Sequence, residues 1–213
     1  MEVYFDNAAT TKPSESVIEG MIEVFTELYG NPSSLHSKGV EIERKIKDVR
    51  RLLAKSLACE ENEIIFTSGG TEANNLAIRG FLMANKQGGR HLVTSKIEHK
   101  SVLNLYKKLE TEGYKVTYLD VDKKGFVSLT QLEEAICNET ALISIMHVNN
   151  EVGSIQPIRE IANLIKRKNP NTILHVDGIQ SYGKINFTLR DLGADIFTIS
   201  GHKFHGPKGI GAL

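Results

Sequence analysis

The sequence predicts an α/β fold, a mostly parallel central sheet with helices on both faces. Three observations lead there. Short β-branched runs alternate with longer helical patterns along the whole chain, the order expected of parallel strands joined by crossover helices. The composition, 40% hydrophobic and 24% charged with 18 Gly and 5 Pro, is that of an ordinary globular protein. The 213 residues amount to roughly one to one and a half domains and can bury about 70% of the surface of the unfolded chain.

Taken in order, Pro13 to Tyr29 places Val17, Ile18, Met21, Ile22, Phe25 and Leu28 on one helical face, and Gly30 is placed to end that helix. After the turn-rich Gly30-Asn31-Pro32-Ser33-Ser34, Val40 to Leu57 repeats the helical period through Ile46, Val49, Leu53 and Leu57. Strands are expected over Glu63–Thr67, His91–Ser95, Lys115–Leu119, Ala141–Val148, Thr172–Val176 and Ile196–Ser200. Helices are expected between most of them: Thr71–Ala84, Lys100–Glu112, Leu129–Ile136 and Ile158–Lys168. The terminal Gly209–Leu213 looks like the start of another strand.

Charge and cysteine content exclude several classes. Lys+Arg and Asp+Glu each number 26, for zero formal net charge, so neither a nucleic-acid nor an anionic-membrane partner is expected. Two cysteines, Cys59 and Cys137, are too few for a disulfide framework and suit a reducing compartment. No apolar run reaches about 18 residues, and the acidic start lacks the basic and apolar regions of a signal peptide. A cytoplasmic enzyme is the expectation.

In a sheet of this kind ligands sit beyond the carboxyl ends of the strands, and four strand ends here carry unusual polar residues. Ser68-Gly69-Gly70-Thr71-Glu72 combines a tight turn with a helix N-terminus whose free N–H groups suit a phosphate, although a plain strand–turn–helix junction reads the same way. It is not a Walker A loop. Glu98-His99-Lys100 puts a histidine just past a strand, where it could stack on an aromatic ligand, move protons or simply be a hydrogen-bonded loop residue. Asp177 ends the apolar strand at Leu174-His175-Val176-Asp177 and is costly there unless it faces a cation or donors. His175-x-Asp177 has no third ligand at metal-site spacing, so no metal is expected. In Ser200-Gly201-His202-Lys203, a lysine directly after an apolar strand is poorly explained as a solvated charge. Desolvated near other cations, such an amine becomes a Schiff-base nucleophile.

Each motif is weak alone, but together and in this order they are the parts of a pyridoxal 5'-phosphate site. An amine takes the aldehyde, a carboxylate keeps the ring nitrogen protonated, a helix N-terminus takes the phosphate and a flat side chain covers the ring.

The stretches Asp6-Asn7-Ala8-Ala9-Thr10-Thr11, Gly30-Asn31-Pro32-Ser33-Ser34, Phe66 to Glu72, Glu98-His99-Lys100, Met146 to Gly153 and Ser200 to Lys203, with the Gly206-Pro207-Lys208-Gly209 continuation, resemble the NifS/IscS-type cysteine desulfurases. These are class-V aminotransferase-type enzymes of PLP fold-type I. The resemblance implies that Lys203 carries the cofactor, Asp177 pairs with the ring nitrogen and Gln180 bonds the ring's phenolic oxygen. It implies that His99 stacks on the ring and transfers protons. Gly70, Thr71, Ser200 and His202 would hold the phosphate, with Asn150 beside ring and substrate. Residues 1–13 become a segment near the active site, and 14–213 a PLP-binding large domain that is incomplete at its C-terminal end. The implied reaction converts L-cysteine to L-alanine and passes its sulfur, as an enzyme persulfide, to an acceptor or scaffold protein for iron–sulfur cluster assembly or thiolation. The full-length form is implied to be a homodimer.

The family's persulfide cysteine lies far downstream of its PLP lysine, whereas this sequence ends ten residues past Lys203. The contexts of Cys59 and Cys137 match no such loop, and both are expected to be half-buried small apolar residues. The C-terminal small domain and the substrate-carboxylate arginine are missing as well, so a truncated or split form is expected, one that binds PLP weakly at best and does not turn over cysteine. The alternatives are selenocysteine lyase or another class-V activity, and a non-catalytic remnant acting as a binding partner.

Overall fold

The computed structural model describes residues 3–86 and 88–213; the first two residues of the 1–13 segment therefore lie outside the described residues. Strands β1 (Phe66–Thr67), β2 (His91–Ser95), β3 (Lys115–Leu119), β4 (Thr140–Met146), β5 (Ile173–Asp177), β6 (Ile196–Ser200) and β7 (Gly211–Ala212) form one sheet in the order β1-β7-β6-β5-β4-β2-β3. The pairs β2–β3, β2–β4, β4–β5 and β5–β6 are parallel; β7 runs antiparallel to both β1 and β6. The helices are α1 (Glu15–Thr26), α2 (Ser37–Leu57), α3 (Gly70–Ala84), α4 (Lys100–Thr111), α5 (Leu129–Ala135), α6 (Ile158–Lys168) and α7 (Leu189–Leu192).

The α/β expectation holds, and helices cover both faces. One core joins Ala54 and Leu57 of α2, Leu132 of α5 and Ile158, Ile161 and Ile165 of α6 to Val93, Ile143, Ile145, Leu174 and Val176 of the strands. The other joins Ile78 and Leu82 of α3 and Val102, Leu105 and Tyr106 of α4 to Leu92 and Leu142. Strand alternation sorts the residues. Leu174 and Val176 point one way, so Ile173, His175 and Asp177 point the other, toward α3 and α4. In register with them lie Leu142, Ser144 and Met146 on β4, and Thr198 on β6 opposite Asp177. The α3/α4 face is therefore apolar at one end and polar toward the carboxyl ends of the strands.

Several boundaries differ from the sequence expectation. Glu61–Glu63 is a 3-10 turn rather than strand, closed by a capping box in which the Glu63 side chain accepts from Glu60 N. The α1 helix stops at Thr26, its cap Glu27 donating to Glu23 O, so Gly30 does not end it. Gly30 instead permits close approach to α2, since a Cβ there would meet Lys38 O at 2.6 Å. The apolar face of α1 is also not core: Ile18, Met21, Ile22 and Phe25 are exposed. Strand β4 ends at Met146, not Val148: His147 N still donates to Asp177 O, but His147 O accepts from Gln156 N and Val148 bridges Ile155 instead of a sheet neighbour. The four-residue α7 is too short to leave a periodic signal. Cys59 is half-buried as expected, but Cys137 is exposed. There Ile136 takes the buried place at the end of α5, leaving the next side chain facing out.

Gly178 shows how tightly the polar end is packed. A Cβ on it would fall 1.8 Å from Cζ of Phe197, directly after Asp177. Gly178→Ala should cost about 1–3 kcal/mol, as overpacked cores do; urea unfolding of the variant at wild-type stability would contradict this packing.

Candidate active site

All nine residues singled out from the sequence (Gly70, Thr71, His99, Asn150, Asp177, Gln180, Ser200, His202 and Lys203) line one cavity of about 560 Å³. It lies at the carboxyl ends of β2, β4, β5 and β6, where the chain has crossed from β3 back over β2 to β4, the switch point at which such sheets bind ligands.

Lys203 closes a 3-10 turn, Gly201–Lys203, that follows β6 immediately. Its Nζ donates to Ala8 O at 2.6 Å and Ala9 O at 2.8 Å. Burial lowers its pKa, and the neighbouring Lys184 lowers it further, against the pull of Asp177 and Asp6. The N-terminal segment is fastened beside it. Thr11 N and Oγ1 both donate to His202 O at 2.9 Å, His202 Nδ1 bonds Thr10 Oγ1 at 3.0 Å, and Gln180 Nε2 donates to Ala8 O at 2.8 Å. Lys184 Nζ donates to the other end of the same amide, Gln180 Oε1, at 2.8 Å. His202 is held toward its neutral form by burial, then by Lys203 and Lys208.

Asp177 is buried. Its Oδ1 accepts from Ile179 N at 3.0 Å and its Oδ2 from Asn74 Nδ2 at 2.8 Å. Burial nevertheless raises its pKa, with those two bonds and the charge of Lys203 opposing. A carboxyl so placed is short of one cation. At the opposite end of the cavity Gly70 and Thr71 open the 15-residue α3, preceded by Gly69 at φ +152°, a turn that a side chain would strain. Ser200 and His202 complete that corner.

His99 is exposed at the mouth and is the N-cap of α4, its Nδ1 accepting from Ser101 N at 3.1 Å. Asn150 rests on a turn built by its neighbour: Asn149 Oδ1 accepts from Glu151 N and Val152 N, both at 2.9 Å, and Nδ2 donates to Ile97 O at 3.1 Å in the loop that carries His99.

Three groups the sequence reading does not single out belong to this site. Asn74 supports Asp177 from α3; a polar residue beside Ala73, Ala77 and Ile78 on the inward helical face is the signal that could have found it. The Ala8 and Ala9 carbonyls have no side-chain signal. Glu98, 5% exposed, accepts through Oε1 from Ser95 Oγ at 2.6 Å and Met146 N at 3.0 Å, while its Oε2 is buried without a partner among the described residues. Burial pushes its pKa up to about 8, and Asp177 adds to the rise. His175 is a core residue. Its Nδ1 bonds Ser144 Oγ at 3.0 Å, Ser144 accepts from Tyr106 OH at 2.7 Å, and burial pushes its pKa down to about 3. Neither cysteine lines the cavity; burial and then Glu63 and Glu60 push the Cys59 thiol up, away from a reactive thiolate.

The sequence family described as aminotransferase class-V matches residues 3–213. Among curated relatives, cysteine desulfurase IscS of Clostridium botulinum (strain Hall) is 47% identical over 212 residues, covering 100% of this chain and 53% of its own. Putative cysteine desulfurase IscS 1 of Bacillus subtilis is 46% identical, covering 99% of this chain and 55% of its own. Among solved structures, a NifS-like protein superposes with a TM-score of 0.97 at 44% identity, over 100% of this chain and 58% of that one. SspA in complex with cysteine follows at 0.94 and 42%, over 99% of this chain and 60% of that one. The chain spans about half the length of the curated relatives it matches.

Proposed function

This chain belongs to the aminotransferase class-V family, and from that premise we propose that it is the cofactor-binding part of a PLP-dependent cysteine desulfurase. L-cysteine is the substrate, L-alanine one product, and the sulfur goes to an acceptor or scaffold protein for iron–sulfur cluster assembly or thiolation. The reading places the protein in the cytoplasm and the full-length form in a homodimer, for which the exposed apolar face of α1 is support. The described residues 3–13 of the 1–13 segment act as a strap over the site of the large domain, 14–213. The observation that carries the reading is that Lys203, Asp177 and His99 line the same cavity as the N-terminus of α3.

The residues fit pyridoxal phosphate. A buried carboxyl short of a cation, an amine of lowered pKa, a flat imidazole and a helix N-terminus with a hydroxyl beside it are the donor set that cofactor needs. Lys203 would hold its aldehyde, Asp177 its ring nitrogen and Gln180 its phenolic oxygen. Gly70, Thr71, Ser200 and His202 would hold its phosphate. When bound, it supplies a conjugated ring that accepts the electron pair released at the substrate Cα. Lys203 Nζ, its ammonium form disfavoured by burial and by Lys184, would be freed when the substrate amine displaces it and would then take the Cα proton. The Ala8 and Ala9 carbonyls orient that amine. His99 would cover the ring and move a proton at Nε2, and Asn150 would position the substrate. A thiolate outside the positions matched here would take the sulfur.

Adding PLP to the purified chain should produce a visible absorption band, and borohydride should then fix the label to the peptide containing Lys203. A protein that stays colourless with excess PLP overturns the reading.

A further inference from the structure

The hydrogen bonds behind the cavity form one unbroken chain from β6 to His99. Thr198 Oγ1 lies 2.6 Å from Asn74 Oδ1. Asn74 Nδ2 lies 2.8 Å from Asp177 Oδ2 and 2.9 Å from Ser101 Oγ. Ser101 Oγ lies 2.8 Å from His99 Nδ1, which also accepts from Ser101 N at 3.1 Å.

The proton positions follow from either end. A backbone N–H can only donate, so His99 Nδ1 carries a lone pair and the Ser101 hydroxyl must spend its single proton on the same atom. That leaves Ser101 Oγ as an acceptor, and Asn74 must turn its NH₂ toward it. From the other end, the ionised form of Asp177 only accepts, so Asn74 donates to it, which again fixes its amide and leaves Oδ1 to accept from Thr198. Both ends demand the same arrangement. Flipping the amide would set two acceptor oxygens 2.8 Å apart. Asn74 and Thr198 are 0% exposed, so water does not compete along the inner part of the chain.

We propose that Asn74 and Ser101 are positioning residues that hold His99 in one neutral tautomer, with its proton on Nε2, and tie that tautomer to the carboxylate of Asp177. With Nδ1 engaged, Nε2 is the nitrogen offered to the cavity, as a donor. The relevance of this to catalysis rests on the function proposed above; the hydrogen-bond chain does not.

The test uses the full chain labelled with ¹⁵N-histidine, as purified and after addition of PLP. Long-range ¹H–¹⁵N correlation distinguishes the two tautomers, and His99 is assigned by its loss in His99→Asn. Wild type should show well-separated ring nitrogens with the proton on Nε2. Ser101→Ala and Asn74→Leu leave the Ser101 backbone N–H as the donor to Nδ1 and should narrow that separation without abolishing it, and Ser101→Thr, which keeps the hydroxyl, should restore it. Ser101→Ala sits at the edge of the helix and keeps the measurement available if Asn74→Leu fails to fold. A proton on Nδ1 in wild type, or a His99 spectrum unchanged in Ser101→Ala, overturns the proposal. Because the signal is read with and without cofactor, a chain that binds no PLP but shows the expected tautomer contradicts the proposed function alone.

Discussion

Glu98→Gln should make the protein more stable at pH 8 while leaving it nearly unchanged at pH 5. Glu98 is 5% exposed, and its Oε2 has no partner among the described residues. Burial holds its pKa near 8 against an ordinary 4.5. Between those two values the folded state keeps a proton that the unfolded chain releases, so stability falls as pH rises through the window. The full effect of such a shift is roughly 3–5 kcal/mol, equivalent to about 6–20 °C of melting temperature in a domain of this size. Glutamine keeps the Oε1 acceptor for Ser95 Oγ and Met146 N and carries no charge to bury. Urea unfolding of both proteins at pH 5, 6.5 and 8 should give curves that diverge with pH. Parallel curves would mean that Glu98 is ionised in the folded protein.

Lys203→Ala should abolish borohydride-stable attachment of PLP, the largest functional effect expected of any single change in this chain. Lys184 lies near enough to depress the Lys203 amine, but its own Nζ is committed to Gln180 Oε1 at 2.8 Å. Among the described residues, Lys203 is the lysine that lines the cavity beside Asp177. Lys203→Arg separates the two properties of the residue, because it retains the cation but cannot form the covalent bond, and it should fail in the same way. Mass spectrometry of the reduced, digested protein reads the result directly. Undiminished label in Lys203→Ala, on the peptide carrying Lys184 or Lys208, would move the attachment site elsewhere.

The elements with strong local patterns were legible. The strands His91–Ser95, Lys115–Leu119 and Ile196–Ser200 and the helix Ile158–Lys168 have the boundaries expected of them, because an apolar run or an amphipathic period is written in neighbouring residues. Where pairing partners decide, the reading slipped. Glu63–Thr67 shrank to a two-residue strand next to a 3-10 turn, and α1 kept its helical period yet turned its apolar face outward. A period reports that a face exists and says nothing of what covers it.

The site divides in the same way. Lys203, Asp177 and His99 could be found from sequence because each is a polar residue placed where an apolar strand ends, a position that carries a free-energy cost unless a ligand or partner answers it. Sequence by itself determined the α/β class, the order of the strands along the chain and the residue types that face the cavity. Only the tertiary structure decided that β5 and β6 lie side by side, so that Thr198 stands opposite Asp177. It alone brought Asn74 between Asp177 and Ser101, laid the Ala8 and Ala9 carbonyls on Lys203 and sealed Glu98 from water. The hydrogen bonds that place Asn74 and Lys203 join residues from 27 to 195 positions apart. Burial, proton direction and pKa are properties of such an assembled neighbourhood, and no local pattern encodes them.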